Sequence, residues 1–116
     1  MDLETFRQHC LSKPGVTEGF PFGEETLVFK VLDKMFATLR LDGEDPRANL
    51  KCDPERAQEL RAGYSDIEPG YHMNKKHWNT IHLEAGVGDY LIGELIDHSY
   101  HLVVAGLPRK KRDTLS

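Results

Sequence analysis

Two neighbouring stretches of alternating hydrophobicity constrain the fold of this chain most strongly. In the first, Leu27, Phe29 and Val31 alternate with other residues, and the same period of two recurs over Met35–Leu41. This period is typical of β-strands, whose successive side chains point to opposite faces. Asp33-Lys34 lies between the stretches and is predicted to form a two-residue turn, because aspartate tolerates left-handed backbone geometry. The pattern therefore predicts an antiparallel hairpin.

Three helices are predicted around this hairpin from their capping signals. Asp2, Asp53 and Asp89 are suitable N-cap residues, because an aspartate oxygen can accept a hydrogen bond from the first helical turn. The second predicted helix runs from Pro54 to about Arg61, with proline at its first position. The third has the widest apolar face and is predicted to be the last element of the chain.

The remaining segments predict three further short strands, one of them irregular. They are Arg47–Lys51, Ile67–Met73, which Pro69-Gly70 interrupts, and Trp78–Leu83. The resulting order, α-β-β-β-α-β-β-α, predicts an α+β two-layer sandwich with a mainly antiparallel five-stranded sheet and helices on one face. The loop Phe20-Pro21-Phe22 is predicted to fold onto the core, because both of its rings gain from burial.

Length and composition limit the classes of protein to which the chain can belong. Its 116 residues are enough for one domain, residues 1–116, and no apolar run approaches the roughly 20 residues that a membrane span needs. The start, Met1-Asp2-Leu3-Glu4, lacks the features of a secretory signal, so a cytoplasmic location is expected. Cys10 and Cys52 are then expected to be free thiols in the core. The net charge of −4 opposes nucleic-acid binding unless folding gathers basic residues locally.

Several short segments together suggest a family. The most specific is Met73-Asn74-Lys75-Lys76-His77-Trp78, which follows Pro69-Gly70. The others are distributed over nearly the whole chain: Lys13-Pro14-Gly15-Val16, Phe20-Pro21-Phe22-Gly23, Lys34-Met35-Phe36-Ala37, Leu50-Lys51-Cys52, and Ser99-Tyr100 before Leu107-Pro108. This set resembles the MmcQ/YjbR family of small bacterial proteins. The resemblance implies a secretion-chaperone-like domain, and a DNA-binding role that is inferred for the family from a double-wing phage activator domain.

The segment from Tyr71 to Asn79 is the candidate contact surface. Its lysines would contact phosphates, while Asn74 or Asn79 reads a base edge or an aromatic ring stacks on a base. A structural interpretation is favoured over this one, with Trp78 in the core, Asn74 bonded to loop backbone groups and the lysines solvated. The predicted nucleic-acid or partner contacts are Lys51, Tyr71, His72, Asn74, Lys75, Lys76, His77, Trp78, Arg109, Lys110, Lys111 and Arg112.

Two other polar features have both a functional and a structural interpretation. The basic run Arg109–Arg112 would neutralise about four phosphates, or would simply be a solvated tail. The histidine pair His98 and His101, and the group His72, His77 and His82, have no recognised metal-ligand spacing, so hydrogen-bonded or surface histidines are favoured over ligands. No metal or cofactor is therefore expected.

No catalytic motif is recognised in the sequence. It has no phosphate-binding glycine loop, no Gly-x-Ser-x-Gly elbow and no HExxH pair. The favoured hypothesis is a non-enzymatic binding module whose partner is DNA. The alternatives are a protein or peptide interaction domain, in which the sheet face and the Phe20-Pro21-Phe22 loop contact a partner or a second copy, and a small-molecule pocket.

Overall fold

In the computed structural model, which describes residues 1–43, 45–70 and 73–115, the chain forms one six-stranded sheet and four helices. In chain order the elements are α1 (Leu3–Leu11), β1 (Val16–Gly19), β2 (Thr26–Val31), β3 (Lys34–Arg40), β4 (Arg47–Lys51), α2 (Pro54–Gly63), β5 (Ile67–Pro69), β6 (Trp78–His82), α3 (Asp89–Ala105) and α4 (Arg109–Asp113). The strand order across the sheet is β1-β2-β3-β4-β6-β5, and every neighbouring pair is antiparallel. The α+β architecture agrees with the sequence analysis.

The predicted strand count and element order were wrong at two places. The sheet has six strands rather than five, because Val16–Gly19 adds an edge strand to β2. This segment shows no hydrophobic alternation, since its two central residues are exposed and backbone pairing alone defines the strand. Residues Arg109–Asp113 form a short fourth helix after Pro108, which the predicted order did not include, and none of its residues is buried. Both elements lack the burial pattern on which sequence prediction depends.

The hairpin between β2 and β3 is present, but its turn lies one residue earlier than predicted. Val31 pairs with Lys34, so the turn residues are Leu32 and Asp33, with φ of 46° and 72°. Two positive φ angles are typical of the hairpin turn that matches the twist of the flanking strands. The pairing register also shifts after Phe29, which leaves Phe36 as an extra residue in β3. This bulge explains why alternation alone misplaced the turn.

The helices that bury residues all pack on one side of the sheet, which we call the helix-covered face. Leu27, Phe29 and Val31 of β2 belong to a core that also contains Phe6 of α1 and Ile96 of α3. The opposite side, the helix-free face, has no helix packed on it among the described residues. One face of the sheet is therefore left without a helix packed on it by this part of the chain.

Within the same ranges, no helix has both the length and the hydrophobicity to cross a membrane.

Two polar side chains of α3 fasten this helix to the sheet. Ser99 is fully buried; its hydroxyl accepts a hydrogen bond from the backbone N–H of Lys51 and donates one to the carbonyl of Phe36. The Tyr100 hydroxyl donates to the carbonyl of Pro14 over 2.6 Å, and its ring meets that of Phe36 edge-on with centroids 5.5 Å apart. These bonds place the second half of α3 at the end of the sheet where β3 begins and β4 ends.

The Phe20-Pro21-Phe22 loop contradicts the prediction of burial. The side chains of Phe20 and Phe22 are 50% and 73% exposed. Phe20 lies beside a groove of about 570 Å³ between α1 and the sheet, and Phe22 lies at the edge of a cavity on the helix-free face. The core is already filled by Phe6, Phe29 and their neighbours, so the loop runs along the surface.

Candidate functional site

Antiparallel pairing gives the sheet two ends that differ in charge. At one end β2 leads into β3 through Leu32-Asp33, and β4 finishes beside the start of β6, where Lys51 pairs with Trp78. We call this the basic end. At the other end lie the loops 20–25, 41–46 and 83–88, which carry Glu24, Glu25, Asp42, Asp45 and Glu84. We call this the acidic end.

Nine of the fifteen lysines and arginines lie at the basic end without a carboxylate partner in the described part of the chain, whereas Lys13, before β1, and Arg61, which donates to the carbonyl of Lys75, lie there with partners. Several are strand residues or lie in the turn that leads into β6. Helix α4 reaches the same end because Leu115, just after it, packs against Gly15 and Leu32. The nine residues are Lys30, Lys34, Lys51, Lys75, Lys76, Arg109, Lys110, Lys111 and Arg112.

The nine cations differ from the other six in their partners. Within the described ranges none of the nine forms an ion pair with a carboxylate, and Lys75 Nζ donates only to the carbonyl of Gly70, at 3.3 Å. The other six have partners within the protein: Arg7 pairs with Glu4 and Glu18, Lys13 with Asp97, Arg40 with Asp42 and Arg56 with Glu94, Arg47 Nε lies 3.9 Å from Asp45 without a hydrogen bond, and Arg61 donates to two backbone carbonyls. Folding thus separates the internally paired cations from those that remain available.

Four carboxylates lie on the segments that carry the nine cations or directly follow them. Asp53 caps α2 by accepting a hydrogen bond from the backbone N–H of Arg56 at 3.1 Å. The other three are Asp33 in the hairpin turn, Glu55 in the first turn of α2 and Asp113 at the end of α4. Cations therefore outnumber carboxylates at this end, although the whole chain has a net charge of −4.

The turn into β6 combines structural side chains with accessible lysines. Trp78 is only 9% exposed, so its ring is not free to stack on a base. The Asn74 side-chain oxygen accepts a hydrogen bond from the backbone N–H of Lys76 at 2.9 Å, and Arg61 donates to the carbonyl of Lys75. Lys75 and Lys76 are exposed and His77 is half-buried. Two further predicted contacts, Tyr71 and His72, lie outside the described residues.

Two histidines have pKa values shifted in opposite directions. His82 has Nδ1 2.6 Å from Asp45 Oδ2 and Nε2 2.9 Å from Glu68 Oε2. Burial opposes its charge, but hydrogen bonds to Glu68 and Asp45 outweigh burial and raise its pKa. His98 Nε2 accepts a hydrogen bond from the backbone N–H of Asp53, and burial, together with the nearby Arg56, lowers its pKa. The described residues contain no group of three or more His, Cys, Asp or Glu that suits a metal ion.

The two cysteines are buried free thiols, as predicted. Burial raises the pKa of the Cys52 thiol to about 11 and that of the Cys10 thiol further still. Because the thiolate is the reactive form, both are poor nucleophiles at neutral pH.

The helix-free face carries two rows of polar residues across β3, β4 and β6. In the first, Asn49 of β4 pairs with Thr38 on one side and Thr80 on the other, and Thr80 donates its hydroxyl proton to Asn49 Oδ1. In the second row, nearer the acidic end, Arg47 lies between Arg40 and His82. Neither row was predicted from the sequence, because along the chain these residues are only polar positions in three separate strands.

A family model named YjbR matches residues 11–102 of the chain. Among curated proteins, the chain is 36% identical over 115 residues to the Escherichia coli K12 protein described as uncharacterized protein YjbR, and the match covers 99% of this chain and 98% of that protein. It is 38% identical over 107 residues to uncharacterized protein YbdF of E. coli O157:H7, covering 92% and 88%.

Solved structures share the fold over nearly the whole chain. The crystal structure of Deinococcus radiodurans protein DR2400, described with the domain DUF419, superposes with a TM-score of 0.91 at 44% identity and covers 97% of this chain and 86% of that one. A crystal structure of a Pseudomonas syringae protein gives a TM-score of 0.77 at 29% identity, covering 88% and 98%. None of these descriptions names a ligand or an activity.

Proposed function

The chain belongs to the YjbR family, and we propose that it is a non-enzymatic binding module that holds DNA against the basic end of its sheet. The observation that carries this proposal is the set of nine cations without carboxylate partners at that end. Because the relatives are described as uncharacterized, the proposal depends on the electrostatics of the site and not on their names.

The segregation of charge answers the objection that an anionic protein repels DNA. DNA phosphates interact with nearby cations over about a Debye length, roughly 8 Å at physiological ionic strength, so local charge matters more than the total. Lysines and arginines that neutralise phosphates release counterions, which makes binding strongest at low salt. Carboxylates collected at the acidic end would orient the molecule, with its basic end towards the nucleic acid.

Three buried side chains that could act as nucleophiles, Ser99, Cys10 and Cys52, are not activated, which favours a binding role over an enzymatic one. The Ser99 hydroxyl is hydrogen-bonded to two backbone groups, and Cys10 and Cys52 are buried thiols with raised pKa. Catalytic nucleophiles need an adjacent base or a lowered pKa. His98, the histidine nearest to Ser99 in sequence, uses its Nε2 to accept the backbone N–H of Asp53.

Titration of a labelled 20-base-pair duplex by fluorescence anisotropy, at 20 to 200 mM salt, tests this proposal. The double variant Lys75→Gln/Lys76→Gln should weaken binding about tenfold at low salt and reduce the slope of log K against log salt by about two, since each lost phosphate contact contributes about 0.9. The matched control is Ala85→Glu/Tyr90→Glu, which lowers the net charge equally at exposed positions near the acidic end. It should change the affinity less than threefold.

The results can reject the proposal in two ways. Absence of duplex binding at 20 mM salt would remove DNA as the partner, because electrostatic attraction is greatest there. Equal weakening by the lysine variant and the control would mean that only net charge matters and that the basic end is not a site. A second double variant, Lys110→Gln/Lys111→Gln, tests whether α4 also contacts DNA. We expect it to weaken duplex binding about tenfold relative to the wild type.

A further inference from the structure

A cavity of about 490 Å³ lies on the helix-free face, and none of the nine cations of the basic end lines it. Its floor is the row formed by Thr38, Asn49 and Thr80. Phe22, from the loop between β1 and β2, lies on one side, and Met73, from the segment before β6, lies on another. Pockets of roughly 300–1,000 Å³ are typical for small ligands.

Strand residues on this face of the sheet are buried, although no described helix packs on them. Val28, Thr38 and Thr80 are at most 5% exposed. The flanking segments with Phe22 and Met73 rise above this floor and form the cavity walls. Phe22 is itself 73% exposed, so an apolar ring stands at the opening without a protein partner that buries it.

Arg47 and Asn49 of β4 line this cavity, and each has a side-chain donor without a protein acceptor among the described residues. Arg47 Nε is buried and has no hydrogen-bond partner, since the nearest carboxylate oxygen, Asp45 Oδ2, is 3.9 Å away. Asn49 Oδ1 accepts from Thr80, which orients the amide, and within the described ranges its Nδ2 donates no hydrogen bond. Arg47 and Asn49 are two residues apart on one strand, so their side chains leave the sheet on the same face.

Charge around the cavity restricts which acceptor these donors can take. Asp42 already binds Arg40 through two hydrogen bonds of 2.6 and 3.2 Å, and this pairing lowers the pKa of Asp42. Asp45 is shared between Arg47 and His82, and Glu25 lines the opening. A dianion such as a phosphate monoester would meet these carboxylates, whereas one carboxylate can form a two-point contact with the Arg47 guanidinium.

We propose that the cavity is a binding site for a small monocarboxylate with a compact apolar body. The carboxylate is held by Arg47 and Asn49, and the apolar body lies between Met35, Met73 and Phe22. Methionine side chains are flexible and polarisable, so they adapt to apolar ligands of different shape. This site is distinct from the proposed DNA-binding surface in residues and in ligand chemistry, and either proposal can fail without the other.

Three probes with the same naphthalene body test the site: 2-naphthoate, the neutral 2-naphthalenemethanol and the dianionic 2-naphthyl phosphate. Titrations followed by two-dimensional ¹H–¹⁵N NMR should show saturable shifts at the amides of Thr38, Asn49 and Thr80 with 2-naphthoate. We expect a dissociation constant below about 1 mM for this ligand of 13 heavy atoms, at least tenfold tighter than for either of the other probes.

Two variants and one control separate a specific site from general adsorption. Arg47→Gln should weaken 2-naphthoate binding at least tenfold and bring its affinity close to that of the alcohol. Phe22→Ala removes an exposed ring and should weaken all three probes about threefold without affecting folding. Arg56→Gln removes an equal charge whose partner is Glu94 on α3, and it should leave binding within twofold of the wild type.

The proposal is overturned if 2-naphthoate causes no shifts at the three floor amides, or if Arg47→Gln binds it as tightly as Arg56→Gln does. Tighter binding of the phosphate than of the carboxylate would also reject it, because the ligand class would then be wrong. Circular dichroism and thermal unfolding of Arg47→Gln establish that a loss is local, and the Phe22→Ala result tests the same cavity from a residue outside the sheet.

Discussion

The two faces of the sheet are formed by the same strands but differ in their packing and polarity. On the helix-covered face, Phe29, Phe36 and Ile96 are fully buried, and the buried hydroxyl of Ser99 is bonded to backbone groups. On the helix-free face the floor is polar, and Arg47 Nε lacks a hydrogen-bond partner. Burial of apolar area supplies most folding free energy, whereas an unused donor in a cavity lowers stability and favours a ligand. The contrast indicates that one face stabilises the fold and the other is available for recognition.

The largest effect that tests this contrast should come from two adjacent residues of β3. Phe36→Ala removes a fully buried ring that contacts Tyr100, and it should lower the free energy of unfolding by about 3–5 kcal/mol. Met35→Ala, at a partly buried position lining the cavity, should cost less than about 1.5 kcal/mol. Urea denaturation of both variants gives the two values, and similar losses would contradict a stabilising role confined to one face.

A smaller effect is expected from the buried hydroxyl of Ser99. Ser99→Ala leaves the backbone N–H of Lys51 and the carbonyl of Phe36 without this partner, which should cost about 1–3 kcal/mol. The control is Ser12→Ala, since the Ser12 hydroxyl bonds only the carbonyl of His9 at an exposed position. Thermal unfolding of both should show a lower Tm for the Ser99 variant alone.

The smallest effect distinguishes the two faces by their pH dependence. The pKa of His82, on the helix-free face, lies above its ordinary value of 6.5, so its contribution to stability is present below pH 6.5 and is lost as pH rises through the raised pKa. His82→Gln should therefore cost about 1–2 kcal/mol at pH 6 and less at higher pH, because bonds to Asp45 and Glu68 are charge-assisted only when the ring is protonated. The positive guanidinium of Arg47, the residue that pairs with His82 across β4 and β6, disfavours the protonated form of His82.

His98 provides the matching test on the side of the helices. Its pKa is lowered by burial, so the stability that it contributes is present above pH 6.5 and is lost as pH falls through the lowered pKa. His98→Gln and His82→Gln should thus change the curve of unfolding free energy against pH in opposite directions. Urea denaturation between pH 5 and 9 measures both curves, and changes of the same sign would contradict the opposite directions of the two pKa shifts.

Much of the fold could be predicted because local chemistry determines it. Asp2 and Asp53 cap their helices as expected, each accepting a backbone N–H from three residues ahead. The alternation at Leu27, Phe29 and Val31 identified the helix-covered face. The edge strand β1 was missed, because its pairing with β2 leaves no trace in its burial pattern. The turn at Leu32-Asp33 was displaced by a bulge that depends on both strands together.

The candidate sites were less predictable, because they combine residues that are distant in the chain. Lys75 and Lys76 were predicted as contacts because they follow a proline-glycine break, and the structure exposes both. Trp78 was assigned to the same surface, although the structure buries it. Phe20 and Phe22 were expected in the core but are exposed. Hydrophobicity alone does not indicate whether the core has room for a given aromatic ring.

The amino-acid sequence by itself determined the α+β class, the caps of the first two helices and the face of the central hairpin that is buried, because each depends on residues within a few positions of one another. Only the tertiary structure decided that nine cations share one end of the sheet and that Thr38, Asn49 and Thr80 form one row. Both groupings arise from strand order and register, which are set by packing of the whole domain and not by any local pattern.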